Sequence, residues 1–219
     1  MRRLIDIFFS FIAIIILFPL LLLTMLILRC SGEGEIFYVQ KRIGYKGVQF
    51  GVLKFATMLK NSPNIGAGEI TLKEDPRVLP IGRFLRKSKL NELPQLWNIF
   101  IGDMSIVGPR PMVQNTFQNY SETTRLKLNT VRPGLTGIGS IFFRNEEDYL
   151  REKADPSKFY REHIIPYKSK LEVWFVENQS LSLYIKIIVV TAWVVIFPSS
   201  KVFDSAFRKL PKKPVIFQK

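Results

Sequence analysis

Ile7-Phe8-Phe9-Ser10-Phe11-Ile12-Ala13-Ile14-Ile15-Ile16-Leu17-Phe18-Pro19-Leu20-Leu21-Leu22-Leu23-Thr24-Met25-Leu26-Ile27-Leu28 contains no charged residue. As a helix rising about 1.5 Å per residue it is about 33 Å long, close to the thickness of a bilayer's hydrocarbon layer. A buried helix of a soluble protein is rarely so uniform. The run is longer than the apolar region of a signal peptide, and no small-x-small cleavage site follows it. Arg29 directly precedes Cys30, which argues against lipoprotein processing. The segment is therefore predicted to be a membrane-embedded helix.

Both flanks of the segment are basic, with Arg2 and Arg3 before it and Arg29, Lys41, Arg42 and Lys46 after it. Positive residues favour the cytoplasmic side, so a simple span must carry one basic flank across. Pro19 lies near the centre, where it removes a helical hydrogen bond and crowds the preceding turn. Two architectures follow from these residues. One is an ordinary span kinked at Pro19, since proline is tolerated in membrane helices. The other dips into one leaflet, turns at Phe18-Pro19 and returns, keeping both basic flanks on one side.

Outside this segment the chain is long enough for one domain with its own core, at 219 residues in all. Its formal net charge of +14 favours polyanions: nucleic acid, anionic lipid or phosphorylated substrates. The single cysteine, Cys30, excludes an internal disulfide and a cysteine-based zinc site. It is expected to be an interfacial thiol, unmodified or acylated. The single histidine, His163, leaves no Ser-His-Asp arrangement. Ile36–Gln40 and Val48–Phe55 are β-prone, residues 61–76 resemble a surface loop, and Ile81–Ile101 is helical with a break near Asn91. Gly102–Pro111 and Val131–Gly134 are turn-rich, and residues 157–178 form a charged helical stretch. Ile187–Phe197 is too short to span and is expected to be either an interfacial helix or a core helix. The tail after Pro198 holds Lys201, Arg208, Lys209, Lys212, Lys213 and Lys219, suited to anionic lipid or to solvent.

The chemistry concentrates in Arg86-Lys87-Ser88-Lys89-Leu90-Asn91-Glu92-Leu93-Pro94-Gln95-Leu96. Leu90, Leu93, Leu96, Trp97 and Phe100 recur at helical spacing. Pro94 is acceptable in a first turn, which places a helix start near Asn91 with Asn91 as N-cap. Glu92 then meets the positive end of that helix, an end that also favours phosphate. A divalent ion on Glu92 could join a diphosphate to the site, since magnesium commonly keeps only one or two carboxylates. Lys54, Arg86, Arg110 and Arg132 all lie beside turns, prolines or glycines. No Gly-rich nucleotide-binding loop is present. Any catalysis therefore rests on carboxylates, cations and a metal.

The sequence resembles the bacterial sugar transferases, the monotopic phosphoglycosyl transferases, over residues 1–197. The likeness rests on Gln40-Lys41-Arg42-Ile43-Gly44, Lys54-Phe55-Ala56-Thr57-Met58, Asn91-Glu92-Leu93-Pro94-Gln95-Leu96-Trp97-Asn98, Gly102-Asp103-Met104-Ser105-Ile106-Val107-Gly108-Pro109-Arg110-Pro111 and Val131-Arg132-Pro133-Gly134-Leu135-Thr136-Gly137. The resemblance implies transfer of a phospho-sugar from a UDP-sugar to a polyprenyl phosphate, with Mg2+, on the cytoplasmic face of the bacterial inner membrane. It implies an α+β, mostly helical fold, with a re-entrant membrane helix over 1–32 turning at Phe18 and Pro19 and a catalytic domain with interfacial helices over 33–198; the basic tail over 199–219 is read from the sequence alone. It implies that Glu92 holds the metal and that Lys54, Arg86, Arg110, Arg132 and Glu172 bind substrate. Exposed apolar surface would meet lipid or a second copy; nucleic acid is not an expected partner.

The likeness breaks at its most important position and at two lesser ones. Asn91 stands where the family has the Asp that attacks phosphorus, and an amide is a poor nucleophile. Three readings stay open: an introduced replacement, a natural chain that binds or scaffolds without catalysis, or another acid such as Asp103 in its place. Ala56 stands where a basic residue is common, and Phe18 where a Ser usually precedes the membrane proline.

Overall fold

A computed structural model of the chain describes residues 1–62, 75–151 and 153–217. Most of the loop expected over 61–76 lies outside the described residues. The fold is mixed α and β and mainly helical. Helix α1 (Arg2–Arg29) runs unbroken through Pro19, so the turn expected at Phe18-Pro19 is not a gap between two helices. It is long and apolar enough to cross a membrane, with a mean hydropathy of 3.1 over its most apolar window.

Helix α1 lies along the domain for its whole length. Ile5, Ala13, Ile14, Leu17, Leu21, Met25 and Leu28 pack inward at helical spacing. Phe8, Ile15, Phe18, Leu22 and Leu26 face outward. The N-terminal end is fastened by polar contacts, and Leu28 near the other end packs against Phe55 and Leu85. Arg3 donates to the carbonyls of Ile99 (2.5 Å) and Phe100 (2.7 Å), at the end of a helix where free carbonyls favour a cation. Arg2 donates to Gln179. Asp6 is buried and accepts from the hydroxyl of Ser105 (3.0 Å), the backbone N–H of Ile106 (2.9 Å) and the hydroxyl of Tyr184. A carboxylate is tolerated there because donors surround it.

Strands β1 (Phe37–Ile43) and β2 (Gln49–Phe55) form an antiparallel hairpin pairing Phe37 with Phe55 and Ile43 with Gln49. Its turn places Lys46 and Gly47 at positive φ. Helix α2 (Pro80–Lys87) starts on proline, whose missing donor costs nothing in a first turn. A 3₁₀ turn (Leu90–Glu92) follows, then α3 (Gln95–Ile101), closed by Gly102 at φ 102°. The expected break near Asn91 is present. Asn91 does not cap a helix, however. It lies within the 3₁₀ turn, and the cap position of α3 is Pro94.

Strand β3 (Ser105–Val107) runs parallel to β4 (Gly134–Thr136). The two backbones meet so closely that a Cβ on Gly134 would lie 2.0 Å from the Gly108 nitrogen. Short helices α4 (Gln114–Gln118) and α5 (Glu122–Leu128) intervene, the latter capped by Ser121. After β4 come α6 (Ile138–Phe142), α7 (Glu146–Leu150) and α8 (Pro156–Phe159), the last capped by Asp155. A π turn (Tyr160–Ile164) leads into α9 (Ile165–Glu177). Pro166 sits in the first turn of α9 and cannot donate, which suits a change of helical register there.

Helix α10 (Leu181–Ile196) covers most of Ile187–Phe197 and buries one face in the core, as the core-helix alternative expects, while its other face is apolar and exposed. Tyr184, Ile187, Val190 and Val194 are buried, while Ile185, Val189, Trp193 and Ile196 stay exposed. The basic tail is likewise tied to the domain. It forms α11 (Val202–Ala206) and returns Phe207 and Phe217 to the main core. Phe217 is fully buried among Phe142, Phe143, Tyr149 and Tyr167.

Candidate active site

Three pieces of backbone bring the site together. Asn98 on α3 accepts from the N–H of Leu53 (2.9 Å) and donates to the Gly51 carbonyl (2.8 Å), pinning α3 to β2. The same amide donates to Asp103 at 3.3 Å, so Asp103 braces this junction. The turn carrying Asn91 and Glu92 is thereby set beside Lys54. From the other side, Gly108 N–H donates to Thr136 and Gly134 N–H donates to the Pro109 carbonyl. This fixes the backbone that delivers Arg110.

Arg110 and Glu92 form a forked ion pair, with contacts of 2.7 and 3.4 Å. A planar guanidinium matches a carboxylate in this way. Burial alone would raise the Glu92 carboxyl. The Arg110 charge and hydrogen bond, followed by Lys54 and Lys89, outweigh burial and bring it down to about 2. Lys54 moves in the opposite sense for an amine. Burial first, then Arg42, Arg110 and Arg86, against the pull of Glu92, lower it to about 7. Lys89 is lowered by burial as well. It enters the turn at φ 62°, a left-handed conformation uncommon outside glycine.

Behind the pair, Glu172 on α9 is buried and faces Gly137 and Gly139. It accepts weakly from the Arg110 N–H at 3.5 Å, and its second oxygen has no partner among the described residues. Burial pushes its carboxyl up to about 7, only partly offset by Lys168. Lys168 itself pairs with Glu146 at 2.7 Å.

The residues expected from the sequence thus separate. Lys54, Glu92 and Arg110 converge, Asn91 lies beside them in the turn, and Glu172 supports Arg110 from behind; Arg86 acts on Lys54 but reaches toward Met58 and pairs with Glu147 at 3.9 Å. Arg132 stands apart: it donates to the Gly102 carbonyl at 2.8 Å and lies over the Tyr45 ring. Glu92 meets Arg110 rather than the start of α3. At the turn, the Glu92 carboxylate, already paired with Arg110, and the Asn91 amide oxygen, buried without a partner among the described residues, are the groups that could meet a metal. No group of three or more acidic, His or Cys side chains converges among the described residues. Such a sparse set suits magnesium, which keeps waters and shares phosphate oxygens.

A half-buried carboxylate ringed by cations, on a domain that carries a long apolar helix, is the geometry to compare with known proteins. The family described as Bacterial sugar transferase matches residues 1–198. The chain belongs to the bacterial sugar transferase family. It is 41% identical over 167 residues to the Exopolysaccharide production protein ExoY of Sinorhizobium fredii, covering 70% of this chain and 74% of that one. It is 32% identical over 210 residues to the Undecaprenyl-phosphate galactose phosphotransferase of Salmonella typhimurium. It is 30% identical over 210 residues to the UDP-galactose-lipid carrier transferase of Erwinia amylovora. Each of these two matches covers 90% of this chain and 40% of the relative.

Several residues of this sugar transferase's site escape sequence reasoning. Arg42 and Lys89 join the cation cluster and Lys168 joins the Glu172 chamber. A signal existed for two of them. Lys168 precedes Glu172 by four residues on one helix, and Lys89 adjoins the Asn91-Glu92 turn. Arg42 acts on Lys54 from the neighbouring strand, although the hairpin register sets Lys54 opposite Tyr38 and Arg42 opposite Phe50.

Proposed function

We propose that this sugar transferase moves a phospho-sugar from a UDP-sugar to a polyprenyl phosphate at the cytoplasmic face of the bacterial inner membrane. The observation that carries this reading is the cluster of Arg110, Lys54 and Lys89 around Glu92, with Arg110 paired to it at 2.7 Å. The names of the Salmonella and Erwinia relatives support the lipid phosphate and the UDP-sugar respectively. In the reaction an oxygen of the lipid phosphate bonds to the sugar-bearing phosphorus. The bond from that phosphorus to the bridging oxygen breaks, and a nucleoside monophosphate leaves. Arg110, Arg86 and Lys54 offset the diphosphate charge and hold it in place. Glu92 and the Asn91 amide oxygen would hold magnesium, which supplies further charge neutralisation when bound. Helix α1 would place the domain at the lipid surface. Because Arg2 and Arg3 are tied to the domain, the re-entrant arrangement suits it better than a span.

Asn91 favours a second reading, a member that binds the donor or scaffolds an assembly without turnover, because its amide cannot serve as the attacking carboxylate. A transfer assay with polyprenyl phosphate and a panel of UDP-sugars, run on this chain and on Asn91→Asp, separates the two. Transfer by this chain establishes the first reading without a carboxylate at position 91. Transfer by Asn91→Asp alone makes this chain a binder built on transferase chemistry. Absence of transfer by both, with every sugar tested, overturns the transferase reading in favour of a scaffold.

A further inference from the structure

The outer edge of β1 and the start of α4 enclose a cleft of about 310 Å³. Its volume is at the lower end of the range for small-molecule sites. Tyr38, Gln40, Arg42, Gln49, Gln114 and Asn115 contribute to its lining, and no carboxylate does. Each side-chain amide offers both a donor and an acceptor. The strand edge adds backbone groups of the same kind. Ile43 donates its N–H across this edge to the Met112 carbonyl at 2.8 Å. Strand alternation turns the backbone groups of Lys41 and Val39 the same way. Tyr38 presents a half-exposed ring at the other end of the strand.

The cleft is joined to the cation cluster through one side chain. Arg42 lines the cleft and is the cation that acts most strongly on Lys54. It also donates to the Pro111 carbonyl at 3.2 Å, next to Arg110. A ligand with phosphates at Arg110 and Lys54 therefore has Arg42 on its path toward a polar, amide-lined wall. Ile43 and Val113 add apolar surface to the amides and the strand edge, a combination that matches a nucleoside base better than a polyprenyl chain, which has no hydrogen-bonding groups. A base presents alternating carbonyl and N–H groups to amides and strand edges, and it offers a π face to a tyrosine.

We propose that this cleft takes the nucleoside of the diphosphate donor, with Arg42 bridging from the cleft to the phosphates. Gln114, Asn115 and the β1 edge read the base, and Tyr38 stacks on it. The inference rests on the proposed use of a nucleoside diphosphate donor. The test is titration calorimetry on the full chain in lipid nanodiscs, with UDP and with inorganic pyrophosphate as separate probes. The variants are Gln114→Ala with Asn115→Ala, and Tyr38→Ala; all three side chains are exposed, and unchanged thermal unfolding verifies the fold.

The expected result is a loss of about tenfold in UDP affinity for each variant, with pyrophosphate affinity unchanged. UDP affinity within about twofold of the parent would place the nucleoside elsewhere and overturn the inference while leaving the donor reading intact. An equal loss for both probes would also overturn it, because the cleft would then act on phosphate alone. A parent chain that binds neither probe would sink the donor reading itself, and this inference with it.

Discussion

Lys54 is a group whose proton should follow the ligand. Burial and the neighbouring Arg42, Arg110 and Arg86 lower its ammonium from 10.5 to about 7 when the site holds only protein charges. A diphosphate adds negative charge to the same cations and returns Lys54 toward its ordinary range. Between about pH 7 and 10.5 the free site is largely neutral at Lys54 and the bound site is charged, so binding takes up a proton. One unit above the lowered value, about one free chain in eleven carries that proton, and binding near pH 8 takes up about 0.9 of one. UDP affinity should then fall about fivefold from pH 7 to 8 and about ninefold from pH 8 to 9. The ligand's own last ionisation lies lower, at about pH 6 for a phosphate ester. Calorimetric titration in buffers of different ionisation heat measures the uptake directly. Lys54→Arg, charged at every pH in the window, should bind UDP without uptake and without the slope. No uptake by the parent chain at pH 8, or equal uptake by Lys54→Arg, would refute the reasoning. The same shift affects the free protein's stability. The unfolded chain holds more protons than the folded one between about pH 7 and 10.5, so the cost of charged Lys54 is complete below that window and is relieved as pH rises through it.

Three further outcomes follow from the packing. Asp6→Ala strands the Ser105 hydroxyl, the Ile106 N–H and the Tyr184 hydroxyl; it should cost about 2–4 kcal/mol in chemical unfolding, and Asp6→Asn less. Phe217→Ala should cost about 3–5 kcal/mol, because it empties a site ringed by four aromatic side chains; a loss below about 1 kcal/mol would mean that the tail is not part of the core. Glu172 has its carboxyl raised from 4.5 to about 7, so the folded chain holds more protons than the unfolded one across that interval. Stability of the parent relative to Glu172→Gln should therefore decline as pH rises from about 4.5 to 7 and level off above it; a flat difference curve would show that Glu172 does not titrate there.

Much of this architecture was readable from local pattern. The uncharged run of Ile7–Leu28 declares an apolar helix because burying or embedding so much hydrocarbon has few other solutions. β-prone residues marked the two strands of the hairpin, and Pro94 with its flanking leucines marked the break before α3. Local pattern misled where a partner lay far along the chain. Asn91 looked like a cap because capping is a local rule, yet the turn there answers to the Asn98 contacts with β2. Glu92 pointed to a helix terminus but found Arg110, eighteen residues on. Arg132 shared the company of turns and prolines with the other cations, and the tertiary structure directs it to Gly102 instead.

By itself, then, the sequence determined the apolar helix, the two β-prone runs and the chemical types at the site, because each depends on periodicity or on residue identity within a few positions. Only the tertiary structure decided three things: that α1 lies along the domain with its N-terminal end fastened, that the basic tail closes the core through Phe217, and that Lys54 and Arg110 gather on Glu92 while Arg132 does not. The physical reason is the same for all three. Apolar burial and charge pairing act through space, and the sequence distances they span here run from about twenty to well over a hundred residues.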